Sequence, residues 1–441
     1  MSAAALPAAT GDLIEVVDLA HDGRGVARAA GKSVFVAGAL PGERVRVRRR
    51  ARHDEAELLE VIEAAPERIA AACSDYGRCG GCALQHLSSA GQLAARAREL
   101  KAAFERIGRV TPLRELAPLA GPAWHYRRRA RLGVRYLASQ ARVLVGFRER
   151  DSPRLAELAH CHVLAEPVAS LLPALGELVG RLSLRERLPQ IEVAVGDRVT
   201  ALVLRVLAAP SDEDRECLRE FARQNAGARL EFWLQPGNAA TLEPLDPAPT
   251  PLSYRLDEFD LTLEFGPLDF VQVNAALNTQ LVARAVELMQ LRPEHAVLDL
   301  YCGIGNFTLP LARRAGRVLG VEGEAGLVAR ARANARANGL AHAAFAQADL
   351  TGDPRAFPWG RERYARVLLD PPRAGAGAML ALLAACGAER VVYISCHAGS
   401  LARDAGELVH QHGFTLVAAG VMDMFPQTAH FESLAVFERR A

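Results

Sequence analysis

Asp299-Leu300-Tyr301-Cys302-Gly303-Ile304-Gly305-Asn306-Phe307 joins a buried apolar run, Val297-Leu298-Asp299-Leu300, to a helical segment. Its two glycines let the backbone approach a ligand closely, and the helix start turns its positive end toward that ligand. Pro310 suits the first turn of this helix. A dinucleotide site would need a third glycine, and Thr308 stands there. Working outward, Val318-Leu319-Gly320-Val321, Val367-Leu368-Leu369 and Val391-Val392-Tyr393-Ile394 are further strand-like runs with helical segments between them. Residues 271–441 therefore read as a doubly wound α/β sheet. Glu322 closes the second run, 23 residues after Asp299, where a carboxylate can accept from both ribose hydroxyls. Asp349 lies beyond the next run, placed for an adenine edge. With the pyrophosphate glycine set incomplete, S-adenosylmethionine fits this loop better than NAD.

Two later motifs fall at the same edge of the sheet. Asp370-Pro371-Pro372-Arg373 follows a strand, where ligands of open α/β sheets sit. An aromatic residue in fourth place would suggest methylation of a base amino group, and Arg373 disfavours it. Tyr393-Ile394-Ser395-Cys396-His397 sets a cysteine at the end of the next strand. Cysteine answers one particular difficulty: C5 of uracil is a poor nucleophile until a thiolate adds at C6 and turns the ring into an enolate. A base must then remove the C5 proton so that the thiol can leave. Glu432, in His430-Phe431-Glu432-Ser433-Leu434, opens an otherwise apolar final strand, where desolvation would raise its pKa.

Ahead of this sheet the chain changes character. Residues 12–64 show short β runs, 13–17, 25–28, 33–36 and 44–47, punctuated by Gly and Pro, as in a small barrel. The last run alternates apolar residues with arginine and continues as Arg48-Arg49-Arg50, either a solvated face or one that tracks phosphates. Cys73, Cys79 and Cys82 lie in a Gly-rich loop, and Cys161, in His160-Cys161-His162, offers a fourth thiol. Spacing alone admits zinc or an iron–sulfur cluster. Residues 91–107 read as a helix, and 124–270 mix strands and helices. Trp124-His125-Tyr126-Arg127-Arg128-Arg129-Ala130-Arg131 interleaves aromatics and arginines, a pattern suited to single-stranded RNA.

The 441 residues carry a net charge of only +2, so attraction to nucleic acid would have to be local. Of 53 basic residues, Lys32 and Lys101 are the lysines. Residues 1–10 lack a signal-peptide pattern, and the uncharged-looking stretch 374–388 is too short for a membrane span. Eight cysteines in so long a chain are too few for a disulfide scaffold and should be thiols, ligands or nucleophiles. A cytoplasmic protein, off the membrane, is expected.

Taken in order, Phe270-Val271-Gln272-Val273-Asn274, the Asp299–Asn306 loop, Asp370–Arg373, Ser395-Cys396-His397 and His430-Phe431-Glu432 resemble the bacterial RNA (uracil-C5)-methyltransferase family. The likeness runs over essentially the whole chain. It implies S-adenosylmethionine contacts from Gln272, Tyr301, Asn306, Glu322, Asp349 and Asp370, with Cys396 as nucleophile and Glu432 as base. Tyr301, where Phe is common, and Asp349, where Asn also occurs, keep the contact type. Resemblance to the ribosomal members implies a [4Fe–4S] cluster on Cys73, Cys79, Cys82 and Cys161. Residues 8–66 resemble a TRAM barrel that binds RNA. The implied plan is α/β and multidomain: barrel 8–66, a central α+β unit with the cysteine loop over 67–270, and a Rossmann-like catalytic unit over 271–441. Helix 91–110 is expected to lie against the catalytic unit. Barrel, cluster and catalytic unit together resemble the branch acting on uracil 1939 of 23S ribosomal RNA, as a monomer. The alternatives are a second 23S uracil, the tRNA T-loop, or cytosine C5. Cytosine enzymes carry a cysteine directly after the acid-Pro motif, where Arg373 stands. A purely RNA-binding protein would have no use for both Cys396 and Glu432.

Overall fold

The computed structural model describes residues 11–29, 31–49 and 54–440. The 1–10 stretch, the first residues of the expected 8–66 barrel and Arg50 of the basic run lie outside the described residues. Strands β1 (Asp12–Leu19), β2 (Gly25–Ala29), β3 (Lys32–Val36), β4 (Arg44–Arg49) and β5 (Glu55–Glu63) close into a barrel of order β1-β2-β3-β5-β4. Alternation decides the inside: Ile14, Val16, Val34, Val36, Val45 and Val47 are buried, whereas Leu13 and Val17 face outward. β5 is acid-rich and supplies the partners of the basic strand, with Arg44 against Glu63, Arg46 against Glu60 and Arg48 against Glu57. The arginine face of β4 is thus matched by carboxylates across the strand pair, a solvated ladder that such pairs stabilise only modestly.

Helix α1 (Ser89–Ala103) starts at Ser88, whose hydroxyl accepts from Gly91 N at 3.1 Å. A π turn over Phe104–Gly108 and the short strand β6 (Arg114–Glu115) follow. Next come β7 (Arg129–Leu137), β8 (Arg142–Gly146), α2 (Val168–Arg181), β9 (Gln190–Val195), β10 (Thr200–Arg205), α3 (Asp212–Gln224), β11 (Leu230–Gln235) and β12 (Glu243–Pro244). They form a six-stranded sheet, β12-β11-β10-β9-β7-β8, against which α2 and α3 pack. The hairpin β13 (Leu252–Leu256) and β14 (Leu261–Phe265) leads into the catalytic sheet.

That sheet is built from α4 (Ala275–Met289), β15 (Ala296–Leu300), α5 (Thr308–Ala312), β16 (Arg317–Glu322), α6 (Ala325–Ala337), β17 (Ala343–Gln347), β18 (Arg366–Leu369), α7 (Leu380–Ala385), β19 (Arg390–Ser395), α8 (Ala398–His410), β20 (Phe414–Met422) and β21 (Glu432–Arg439). Its order is β17-β16-β15-β18-β19-β21-β20-β6. The first five strands run parallel, and β21 runs antiparallel to both β19 and β20. Strand order reverses between β15 and β18, which puts the ligand crevice at their carboxyl ends.

Side chains alternate between two cores. Val297, Leu368, Val392 and Val436 pack on the face covered by α4, α6 and the β13–β14 hairpin. Leu298, Val367, Val391 and Phe437 pack on the face covered by α1, α7 and α8. The expected helix at 91–107 is α1 and its π turn, and it lies against α8 and β20 of the catalytic sheet. The contact with α8 is close. A Cβ on Gly108 would fall 2.3 Å from the Ala402 carbonyl oxygen, and one on Gly406 would fall 2.7 Å from that of Gly108. Gly108→Ala should lower stability by about 1–3 kcal/mol through overpacking; the shift of the denaturant midpoint measures it.

Candidate active site

The carboxyl ends of β15 and β16 form one half of the site. Tyr301 takes a left-handed φ of 66°, as do Gly303 at 55° and Gly305 at 94°. This curls the loop over the sheet edge. Burial pushes the Tyr301 phenol up to about 12, and the nearby acids Asp404, Asp349 and Glu322 push the same way. Tyr301 N donates to Val321 O at 2.9 Å and Ala348 N to Glu322 O at 3.0 Å, which brings Tyr301, Glu322 and Asp349 to adjoining strand ends. Glu322 accepts from Gly303 N at 3.1 Å through one oxygen, and from Gly323 N at 2.7 Å and Glu324 N at 3.1 Å through the other. Asp349 is exposed, and its Oδ1 accepts from the Thr351 N–H and hydroxyl.

Asn306 is more committed than its sequence position suggests. Its Oδ1 accepts from Tyr254 Oη at 2.8 Å and Asn278 Nδ2 at 2.9 Å, and its Nδ2 donates to Asn278 Oδ1 at 3.0 Å. Gln272 is half-buried just before α4. Tyr254 and Asn278 are parts of this site that the sequence reading missed. They come from the hairpin and from α4, and no local motif marks them. Asp299, fully buried beneath the loop, accepts from the Thr308 hydroxyl, and burial pushes its carboxyl up to about 8. Thr308, which breaks the dinucleotide pattern, satisfies Oδ2 of this acid, while Oδ1 is without a partner among the described residues.

The reacting residues occupy the neighbouring edge. Asp370 follows β18, Cys396 follows β19, and Glu432 begins β21. Antiparallel pairing sets Ser395 opposite Ser433, so the same register continued by one residue sets Cys396 opposite Glu432. Opposed side chains across such a pair stand about 5 Å apart at Cβ. Glu432 is buried, and its Oε2 is without a partner among the described residues. Burial, and then the Asp370 carboxylate, raise its pKa. Burial raises Asp370 as well. The Cys396 thiol is pushed up by burial first and next by Glu432 and Asp370, while Arg373 pulls it down. His397 caps α8, accepting from Ser400 N at 3.1 Å, so Cys396 sits just ahead of the positive end of that helix.

Cys396 also lies on a cleft of about 920 Å³ whose other walls include Arg24 and Phe35 of the barrel, Arg127, Arg150 and the four cysteines 73, 79, 82 and 161. Of the 124–131 stretch, Arg127 faces this cleft. Tyr126 is buried, and Arg128 and Arg131 are paired with Asp197 and Glu192. The four thiols form one neighbourhood: burial raises Cys82 to about 12, and Cys161, Cys79 and Cys73 add to it. Such a set is stable as thiolates around a cationic core. Among the described residues, three ligand atoms come within 4.8 Å of one another only at His125, His160 and Glu166. The four cysteines gathered on one wall of the cleft are a donor set of the kind that holds a metal centre.

A parallel sheet with a reversed last hairpin, a glycine loop with an acid at the end of the next strand, and a cysteine across from a buried glutamate define a Rossmann-like methyltransferase. The family model described as tRNA (Uracil-5-)-methyltransferase matches residues 89–440, and the TRAM domain model matches 13–48. The chain belongs to this family of uracil-C5 methyltransferases. It is 49% identical over 431 residues to the 23S rRNA (uracil(1939)-C(5))-methyltransferase RlmD of Xanthomonas axonopodis pv. citri (strain 306), covering 96% of each chain. It is 50% identical over 432 residues to the RlmD of Stenotrophomonas maltophilia (strain K279a), covering 97% of each. In fold it is similar to the Pyrococcus abyssi tRNA (uracil-54, C5)-methyltransferase in complex with S-adenosyl-L-homocysteine, with a TM-score of 0.72 and 21% identity. That match covers 96% of this chain and 99% of the other. Among the described residues no helix is long and apolar enough to cross a membrane.

Because Glu432 and Asp370 hold the Cys396 thiol up, Glu432→Gln should lower the pH midpoint of its alkylation, since a negative neighbour is removed. Iodoacetamide labelling of Cys396 between pH 6 and 10 reads this; an unmoved midpoint means that the two groups do not interact.

Proposed function

We propose that the chain methylates C5 of uracil 1939 in 23S ribosomal RNA, with S-adenosylmethionine as methyl donor, through a covalent bond between Cys396 Sγ and C6. The observation that carries this reading is the register of β19 and β21, which sets buried Glu432 across from Cys396, itself on a cleft walled by the barrel. The relatives at about half identity over nearly the whole chain supply the target nucleotide.

S-adenosylmethionine, when bound, supplies an electrophilic methyl group on sulfur. Tyr301, Gln272, Asn306, Glu322, Asp349 and Asp370 are the groups proposed to hold it. Glu322 already accepts three N–H bonds, so of its roughly four lone-pair sites about one remains for a ribose hydroxyl. Asn306 keeps one amide hydrogen for the ligand. Asp349 faces outward, as an adenine contact at the rim requires.

In the reaction the Cys396 thiolate adds to C6, and the ring's electrons make C5 the nucleophile that takes the methyl group. Arg373 and the α8 terminus favour the thiolate; burial opposes it. The Glu432 carboxylate then removes the C5 proton, the C5–C6 double bond re-forms, and the C6–S bond breaks. Its raised pKa suits this task, since the ionised form is a stronger base than an exposed glutamate. Cys73, Cys79, Cys82 and Cys161 are proposed to hold a [4Fe–4S] cluster. Such a cluster supplies redox chemistry when bound, and methyl transfer consumes no electrons, so these thiols serve to tie the cysteine loop to the 160–166 segment. One chain carries every group named, consistent with a cytoplasmic monomer acting on ribosomal RNA.

Labelled S-adenosylmethionine with 23S RNA fragments tests the reading; 5-methyluridine at position 1939 is expected, and 5-methylcytidine or another site would overturn it. Cys396→Ala should lower transfer by on the order of 10⁴-fold or more, as for loss of an enzymic nucleophile. Cofactor affinity should stay nearly intact. Glu432→Gln should accumulate a methylated protein–RNA conjugate, seen on denaturing gels; free turnover at the normal rate would remove its role. Anaerobically purified protein should carry about four iron and four sulfide per chain. Cys82→Ser should lose both; zinc in their place would reject the cluster.

A further inference from the structure

Glu432 is delivered by the segment 423–431, and that segment is clamped by residues more than 300 positions earlier in the chain. Arg96 of α1, 3% exposed, pairs with Asp423. It also donates to the carbonyl oxygens of Phe425 at 3.3 Å and Thr428 at 3.0 Å. Gln92, one turn earlier and equally buried, donates to Gln427 Oε1 at 3.0 Å and accepts from Gln427 N at 3.0 Å. The Gln427 carbonyl in turn accepts from Ala83 N at 2.8 Å and Leu84 N at 3.0 Å, directly after Cys82. Tyr126 donates to the carbonyl of Pro426 at 2.9 Å. Gln427 itself has φ of 69°, a left-handed conformation that a non-glycine residue keeps only where its surroundings over-determine it. The path to the base is short: Thr428 Oγ1 accepts from His430 N at 3.2 Å, two residues before Glu432.

Among the described residues Gln92 and Arg96 make no hydrogen bond to Cys396 or Glu432, yet they donate to or pair with four residues of the loop that enters β21. We infer that Gln92 and Arg96 are positioning residues for the second half of the reaction: they hold the 423–431 segment so that Glu432 meets the C5 proton of the adduct. The inference rests on the proposed Cys396–Glu432 chemistry. It also explains why the cysteine loop adjoins the active site, since Ala83 and Leu84 complete the same clamp.

The distinguishing readout is elimination, not folding. Arg96→Met combined with Asp423→Asn removes the ion pair without leaving a buried lone charge, and still deletes both carbonyl contacts. With native-sequence RNA this variant should turn over roughly 10²-fold more slowly, the scale of an ångström-sized misplacement. Its KM values for RNA and cofactor should stay within about twofold. The methylated covalent conjugate should build up as in Glu432→Gln. Gln92→Ala should do the same. Normal turnover in the double variant, or lost turnover without conjugate, overturns the positioning role. Wild-type protein with 5-fluorouracil-substituted RNA serves as the control. A stable conjugate at Cys396 there with no elimination defect in the variants refutes the clamp alone, and absence of that conjugate refutes the underlying mechanism as well.

Discussion

The antiparallel pairing of β21 with β19 is the constraint on which the chemistry depends. Parallel strands send their carboxyl ends to one edge of the sheet, which brings Asp370 and Cys396 there. Reversing the last strand brings its first residue to that same edge, so a carboxylate starts where the cysteine-bearing strand ends. The geometry also imposes the electrostatic tension of the site. Glu432 and Asp370 are held together in a desolvated corner, which raises their pKa values and makes the adjacent thiol harder to ionise. The same desolvation strengthens any interaction made with a bound pyrimidine.

Around this edge the molecule is assembled from distant pieces. The cofactor loop is braced by Tyr254 from a hairpin and Asn278 from α4. The loop before Glu432 is braced by α1, the cysteine loop and Tyr126. The barrel contributes a wall of the cleft through Arg24 and Phe35. Each brace joins buried polar groups by several hydrogen bonds at once, which favours one arrangement over its alternatives.

Charge follows the same logic. A chain with 53 basic residues and a net charge of +2 sets many of its arginines against acids, as the β4–β5 ladder and the Arg128 and Arg131 pairs illustrate. The cleft keeps a few, Arg127, Arg150 and Arg373 among them, at the place where a phosphate backbone would pass.

Sequence alone determined the α/β plan, because strand runs, glycine loops and acids at strand ends are local patterns set by backbone sterics. It also singled out Cys396 and Glu432 as candidates, through the motifs around them rather than through either residue alone. The acid-rich β5 was invisible to hydrophobic alternation, because its face is satisfied by arginines across the barrel rather than by burial. The placement of Glu432 across from Cys396, the bonding of Asn306 to Tyr254 and Asn278, and the contacts of Gln92 and Arg96 with a loop hundreds of residues away were decided by tertiary structure. Those facts depend on which hydrogen-bonding groups meet once the sheets have packed, and no spacing along the chain encodes such a meeting.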